Sequence, residues 1–386
     1  MKIRHWISLF VVVAVITGCE SVQQPTTPEP QQSISAALQV SGQQTLAVPG
    51  EYIVVFNEDV SDVAGAAAQL ARLNSASVRF LYKKVLKGFS AAMPAEVAAR
   101  LASDPRVKYI EPDYRVSISR QGSRGNRPGG GSEPQVTPWG VTRVGGPIDG
   151  TGKTAWVIDT GIDLDHPDLN VDVARSANFV TRGKDTPDDG NGHGTHVAGT
   201  IGAIDNTIDV VGVAANATLV AVRVLDRSGS GQYSWVIAGV DYVAQNASPG
   251  DVANMSLGGP PSTALDDAVR AAADAGVIFA IAAGNDGADA NNYSPARVEY
   301  NNVYTISAIG QDDCLASFSN WGNPPIEFAA PGVSILSTKA GGGTTTLSGT
   351  SMATPHVAGL LLVGPVNSDG TACNDPDGNP DPIARN

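Results

Sequence analysis

Five short stretches in the second half of the chain, residues 155–158, 219–224, 252–257, 277–282 and 303–308, are predominantly apolar, and helical patterns at 193–204, 233–245 and 264–275 lie between them. A strand with one wet face alternates apolar and polar residues. Runs like these belong to strands covered on both faces, and helical crossovers make neighbouring strands parallel. The expectation is an α/β fold, a parallel sheet with helices on both faces, whose functional site lies outside the carboxyl ends of the strands. A chain of 386 residues with 42% apolar side chains has the material for such a core. Its 43 glycines beside only 6% aromatic residues point to tight turns and closely packed small side chains.

The first third is organised differently. Lys2, Arg4 and His5 precede an apolar run over residues 6–16, too short for a stable membrane span and suited to an export signal. The run ends in Ile16-Thr17-Gly18-Cys19, which resembles the lipobox of bacterial lipoproteins. Residues 1–18 are therefore expected to be removed and Cys19 to carry lipid, the only membrane attachment foreseen. Residues 19–49 are rich in Gln, Ser, Thr and Pro, as in a flexible tether. Over 50–118 the pattern becomes β-α-β-β-α-β, with Tyr52-Ile53-Val54-Val55-Phe56 as the first strand, which is the order of a small ferredoxin-like α+β unit. Residues 119–134 hold Gly, Arg, Ser and Pro without apolar period, an exposed linker open to proteolysis. The main domain is expected over 135–366, and 367–386 is an Asp-, Gly- and Pro-rich tail. Its Asp375-Pro376-Asp377-Gly378-Asn379-Pro380-Asp381 sequence alternates oxygen ligands as a calcium loop does, although a solvated acidic tail is the simpler expectation. Cys314 and Cys373 are the other two thiols; whether they pair depends on a proximity that sequence does not supply.

The formal charge of −13 excludes a nucleic-acid binder. Residues 1–134 hold 14 basic and 11 acidic side chains, and the remainder 11 and 27. Two segments that bind each other through opposite charge would show this asymmetry.

Three motifs carry chemistry. Val157-Ile158-Asp159-Thr160-Gly161 puts a carboxylate at a strand end. An aspartic protease needs two such groups sharing a proton, and Asp-Thr-Gly occurs once. Gly192-His193-Gly194-Thr195-His196 starts a helix of small residues, and lacks the glutamate that a His-Glu-x-x-His zinc protease carries. Ser348-Gly349-Thr350-Ser351-Met352-Ala353-Thr354-Pro355-His356 sets a serine at a turn into a helix, where the helix dipole and free N–H groups favour an oxyanion. Ala282-Ala283-Gly284-Asn285 adds an amide after a buried strand.

Asp, His and Ser arrive in the order of the subtilisin triad, and with these motifs the sequence resembles the subtilisin-like serine proteases, in their proteinase K and aqualysin branch, over about 136–362. The resemblance implies a self-processing serine endopeptidase acting on polypeptides. Ser351 would be the nucleophile, His193 the general base, Asp159 its orienting carboxylate and Asn285 the oxyanion donor, with His196 and His356 structural. Gly229, Ser230 and Gly231 would face Ser256, Leu257 and Gly258 across a substrate groove that favours an apolar or aromatic residue before the cut. The unit at 50–118 would be an intramolecular inhibitory propeptide. The resemblance also implies a monomer that needs no cofactor for catalysis but holds structural calcium, through Glu327 and the Pro295 and Arg297 carbonyls. A catalytically dead scaffold serving as a surface binding protein is the alternative.

Overall fold

The computed structural model describes residues 46–118 and 133–386. The export signal, Cys19, most of the tether and the linker lie outside the described residues.

The main domain is built on nine strands. Thr154–Asp159, Thr218–Arg223, Val252–Met255, Ile278–Ala282, Val303–Ile309 and Ile326–Pro331 form its parallel centre. Side chains alternate across a strand, and Thr154–Asp159 shows the consequence. Trp156 and Ile158 enter the core beneath helices Tyr233–Asn246 and Thr263–Asp274, while Ala155 and Val157 enter the core beneath His193–Gly202 and Thr350–Val363. All four are fully buried, as the unbroken apolar run required.

The first unit has the expected order: strands Ala47–Phe56, Ser77–Tyr82, Gly88–Ala92 and Val107–Ser117 with helices Val63–Leu73 and Ala95–Leu101. Its first strand begins before the tether was expected to end. Its last runs on to Ser117 and pairs antiparallel with Ser230–Gln232 of the main domain, so one five-stranded sheet spans both.

This unit lies against helices Tyr233–Asn246 and Thr263–Asp274. Asp113 accepts from the Ser234 N–H at 3.1 Å and from its hydroxyl, and Glu111 accepts from the Ser262 hydroxyl and the Thr263 N–H, so each carboxylate sits at a helix start. Such positions favour negative charge. In return Asp241 accepts from the backbone N–H groups of Lys83, Lys84 and Val85. The charge asymmetry suggested opposite side chains in contact. Among the described residues no ion pair crosses this interface; carboxylates bound to backbone N–H groups take that role.

The tail departs from expectation. Asn367–Thr371 and Pro382–Arg385 form a hairpin whose second strand extends the main sheet beside Ile326–Pro331. Ile383 and Ala384 are buried, and Cys314 and Cys373 form a disulfide. The segment is part of the fold rather than a solvated tail.

Candidate active site

Asp159 ends its strand fully buried, and its Oδ1 accepts the N–H of Thr160 at 2.6 Å. The turn that follows needs glycine. Gly161 has φ +106°, and a Cβ there would stand 2.3 Å from the Pro187 carbonyl oxygen. The Thr160 hydroxyl then accepts the N–H of Gly194 at 2.9 Å, tying this turn to the helix start. A Cβ on Gly194 would lie 2.1 Å from the Gly161 carbonyl oxygen, so only glycine admits the approach. Asp189 completes the frame by accepting the N–H groups of Asn191, Gly192 and Thr195.

His193 is thereby held with Nδ1 at 2.8 and 3.0 Å from the Asp159 carboxylate oxygens. Its Nε2 is buried and has no hydrogen-bond partner. His196 and His356 are enclosed elsewhere. His196 Nε2 lies 3.0 Å from the Ile335 carbonyl and His356 Nδ1 2.8 Å from that of Met352. Burial pushes their pKa values down to about 3 and about 4, so both are neutral.

Ser351 is the second residue of Thr350–Val363 and is 3% exposed. Its Oγ donates to the Ser256 carbonyl at 3.2 Å rather than to His193, and the Ser256 hydroxyl donates to the Ser351 carbonyl at 2.9 Å. Asn285 approaches the same helix start. Its Oδ1 accepts the Thr350 N–H at 2.8 Å, which fixes the amide so that Nδ2 is its other face.

The segments Gly229–Gly231 and Ser256–Gly258 hold a strand between them. Ser230 pairs with Ser117 and Gly231 with Val116, while the Ile118 N–H donates to the Gly229 carbonyl at 3.0 Å and that of Ser117 to Gly258 at 3.4 Å. A Cβ on Gly229 would fall 2.5 Å from Ile118 Cδ1. Beside Ser117 of this strand a cavity of about 350 Å³ is lined by Leu257, Gly258, Ala283, Asn285, Tyr293 and Ser351.

Sequence reasoning missed Asn320. Fully buried, it accepts the N–H groups of Asp286 and Ala288 and donates to the Ala283 carbonyl, so it holds the turn that carries Asn285. A lone asparagine in a polar stretch gave no signal, because its role arises only when two distant turns meet.

The residues of the calcium expectation have protein partners in this structure. Glu327 turns a carboxylate oxygen to the Thr305 N–H, and the Pro295 carbonyl accepts the Val298 N–H at 3.0 Å. The side chain of Arg297 is engaged with Asp266 at 2.6 Å. Burial pushes the Glu327 carboxyl up to about 8.

Comparison with known proteins agrees with this architecture. The subtilase family pattern matches residues 150–363, and the peptidase inhibitor I9 pattern matches 51–119. Proteinase R of Parengyodontium album is 37% identical over 93% of this chain and 88% of its own. Alkaline serine exoprotease A of Vibrio alginolyticus is 42% identical over 82% of this chain, which spans 61% of that protein's length. The crystal structure of a cold adapted subtilisin-like serine proteinase superposes with a TM-score of 0.57 at 44% identity, covering 64% of this chain and 96% of that one. With an I9 module docked on a catalytic fold matched over more than half its length, the chain belongs to the subtilase family of serine-type endopeptidases.

Proposed function

We propose that this chain is the self-processing precursor of an exported serine endopeptidase, organised as an export signal, tether, propeptide, linker and catalytic domain. The observation that carries the reading is the propeptide strand itself. It fills the groove between Gly229–Gly231 and Ser256–Gly258 as an added strand, and its Ser117 lines the same cavity as Ser351.

Ser351 Oγ leaves the Ser256 carbonyl by rotating about its Cα–Cβ bond and attacks the substrate carbonyl. His193 Nε2 takes its proton while Asp159 holds Nδ1–H and stabilises the imidazolium. The carbonyl oxygen becomes an oxyanion held by Asn285 Nδ2 and the backbone N–H of Ser351. His193 then protonates the leaving amine, and water resolves the acyl-enzyme by the same steps in reverse. No cofactor enters this chemistry. The apolar cavity with Leu257, Ala283 and Tyr293 favours an apolar or aromatic residue before the cut. Covalent labelling of Ser351 by a fluorophosphonate tests the assignment; an intact protein that does not react would overturn it. Asn285→Ala is expected to lower kcat by roughly 100- to 1,000-fold with little change in KM, measured on a chromogenic peptide.

Export is supported by the N-terminal signal pattern and by the extracellular serine proteinase of Thermus, which is 39% identical over 93% of this chain. A lipid on Cys19 would anchor the propeptide side only, so processing at 117–134 would free the enzyme; a mature form still carrying lipid would sink this. We take the enzyme to act as a monomer. Family-type structural calcium is part of the same proposal.

Release of the cut propeptide is expected to depend on pH. Burial at the interface pushes Asp113 from 3.8 up to about 6 and Glu111 from 4.5 up to about 7. Raised carboxyl values mean that docking takes up protons. Their contribution to docking is full below the ordinary carboxyl range, and is lost as pH climbs through about 6 and about 7. After cleavage and fluorophosphonate inactivation, gel filtration should retain more propeptide with the enzyme at acid than at alkaline pH. Asp113→Asn, which stays neutral, should flatten that profile; an unaltered profile would refute the role of Asp113.

A further inference from the structure

The turn at residues 283–288 carries Asn285 from the end of strand Ile278–Ala282 to the start of helix Thr350–Val363. Thr350 fixes the tip of the side chain. Its N–H and its hydroxyl both donate to Asn285 Oδ1, at 2.8 and 3.1 Å, and the same hydroxyl accepts the Gly284 N–H at 3.2 Å. The base of the turn rests on residues 318–321. The Gly287 N–H donates to the Phe318 carbonyl at 2.9 Å, and the Trp321 N–H to the Ala288 carbonyl at 3.1 Å. Asn320, 0% exposed, makes the central contacts. Its backbone N–H donates to the Gly284 carbonyl at 2.9 Å and its Nδ2 to the Ala283 carbonyl at 2.9 Å. Its Oδ1 accepts the N–H groups of Asp286 at 2.9 Å and Ala288 at 3.1 Å. Two donors aimed at one atom identify that atom as the oxygen of the amide. One side chain therefore grips the turn on both sides of Asn285. The fit is close, since Gly284 has φ +109° and a Cβ there would fall 2.3 Å from Asn320 Nδ2.

We infer that Asn320 is a positioning residue for catalysis, acting through Asn285; the inference rests on the oxyanion role proposed above for that residue. An oxyanion donor contributes where it meets the developing charge at hydrogen-bond distance, and a misplacement of about 1 Å can cost on the order of 100-fold. Thr350 holds Asn285 Oδ1 but leaves the amide free to pivot about that point. Asn320 fixes the backbone from which the side chain springs. Asp286 and Gly287 are exposed, so water can satisfy the N–H groups that a smaller residue at 320 would release. The turn then drifts while the domain stays folded. Turnover suffers more than substrate binding, because the oxyanion exists only as the bond is being broken.

The test is a double-mutant cycle on the processed enzyme with a chromogenic peptide, using Asn320→Ala, Asn285→Ala and the two together. Asn320→Ala should lower kcat by roughly 10- to 100-fold, less than the roughly 100- to 1,000-fold for losing the donor itself, with KM within about twofold. In the Asn285→Ala background the same change should lower kcat by less than about threefold, since no amide is left to position. An unchanged kcat, or equal losses in both backgrounds, would overturn the inference and leave Asn320 a structural role. If Asn285→Ala itself left kcat intact, the oxyanion role would fall and the role of Asn320 with it, a pattern distinct from equal losses. Should Asn320→Ala fail to fold, Asn320→Asp, which keeps the acceptor for the Asp286 and Ala288 N–H groups, enters the same cycle under the same criterion.

Discussion

Ser351→Ala is expected to lower kcat by on the order of a millionfold and to leave the purified precursor, lacking its signal, as one uncut species. The wild-type chain under the same conditions should divide between residues 117 and 134. The loss is this large because the nucleophile and its base act as a unit; without Oγ, His193 has no proton to take and no acyl-enzyme can form. The substitution removes one hydroxyl whose hydrogen bond is to the Ser256 carbonyl at 3.2 Å. That carbonyl remains in the groove wall, and the Ser256 hydroxyl still bonds the backbone of residue 351 at 2.9 Å, so the fold should persist. Intact mass followed over time reads the result directly. Division of the wild type alone assigns both the nucleophile and the propeptide. Equal division of both chains means that a foreign protease is cutting an exposed linker. A folded wild-type chain that never divides would revive the dead-scaffold reading.

Patterns that depend on the chain's own periodicity were legible in the sequence, and features made by distant contacts were not. Ala155-Trp156-Val157-Ile158 announces a strand buried on both faces, and its alternation into two cores follows from geometry alone. The glycines at 161 and 194 likewise mark close approach, because turn and helix start must nearly touch for Asp159 to reach His193. The C-terminal hairpin offered no such signal. Two buried apolar residues, Ile383 and Ala384, among Asp, Gly, Asn and Pro do not spell a strand; an edge position and the Cys314–Cys373 bond create it. Charge counting found that the two halves could associate but misjudged how. Helix starts and backbone N–H groups carry partial charge that no residue count includes, and Glu111, Asp113 and Asp241 use them.

Asp159→Asn is expected to cost about 10⁴ in kcat with KM nearly unchanged. The change is isosteric and leaves the Thr160 N–H, now 2.6 Å from Oδ1, an acceptor on the asparagine. With that oxygen facing Thr160, the new NH₂ takes the place of Oδ2, 3.0 Å from His193 Nδ1, beside the retained oxygen at 2.8 Å. Where the NH₂ donates to Nδ1, that nitrogen accepts and the ring proton moves to Nε2; the carboxylate that held Nδ1–H through both oxygens is gone in either case. Nε2–H cannot take the Ser351 proton, and the imidazolium loses its compensating negative charge as well. The opposite rotamer would place NH₂ against the Thr160 N–H in a fully buried site, donor against donor, which the interior penalises. A wrong tautomer and a damaged fold are separable. Fluorophosphonate labelling should slow in step with kcat, while Tm and inhibition by the docked propeptide stay close to wild type. Activity within tenfold of wild type would remove Asp159 from the catalytic apparatus, and a lost fold would make its buried hydrogen bonds structural first. The geometry favours neither of those outcomes, since Thr160, Gly194 and Asp189 hold the frame through contacts that the substitution does not touch.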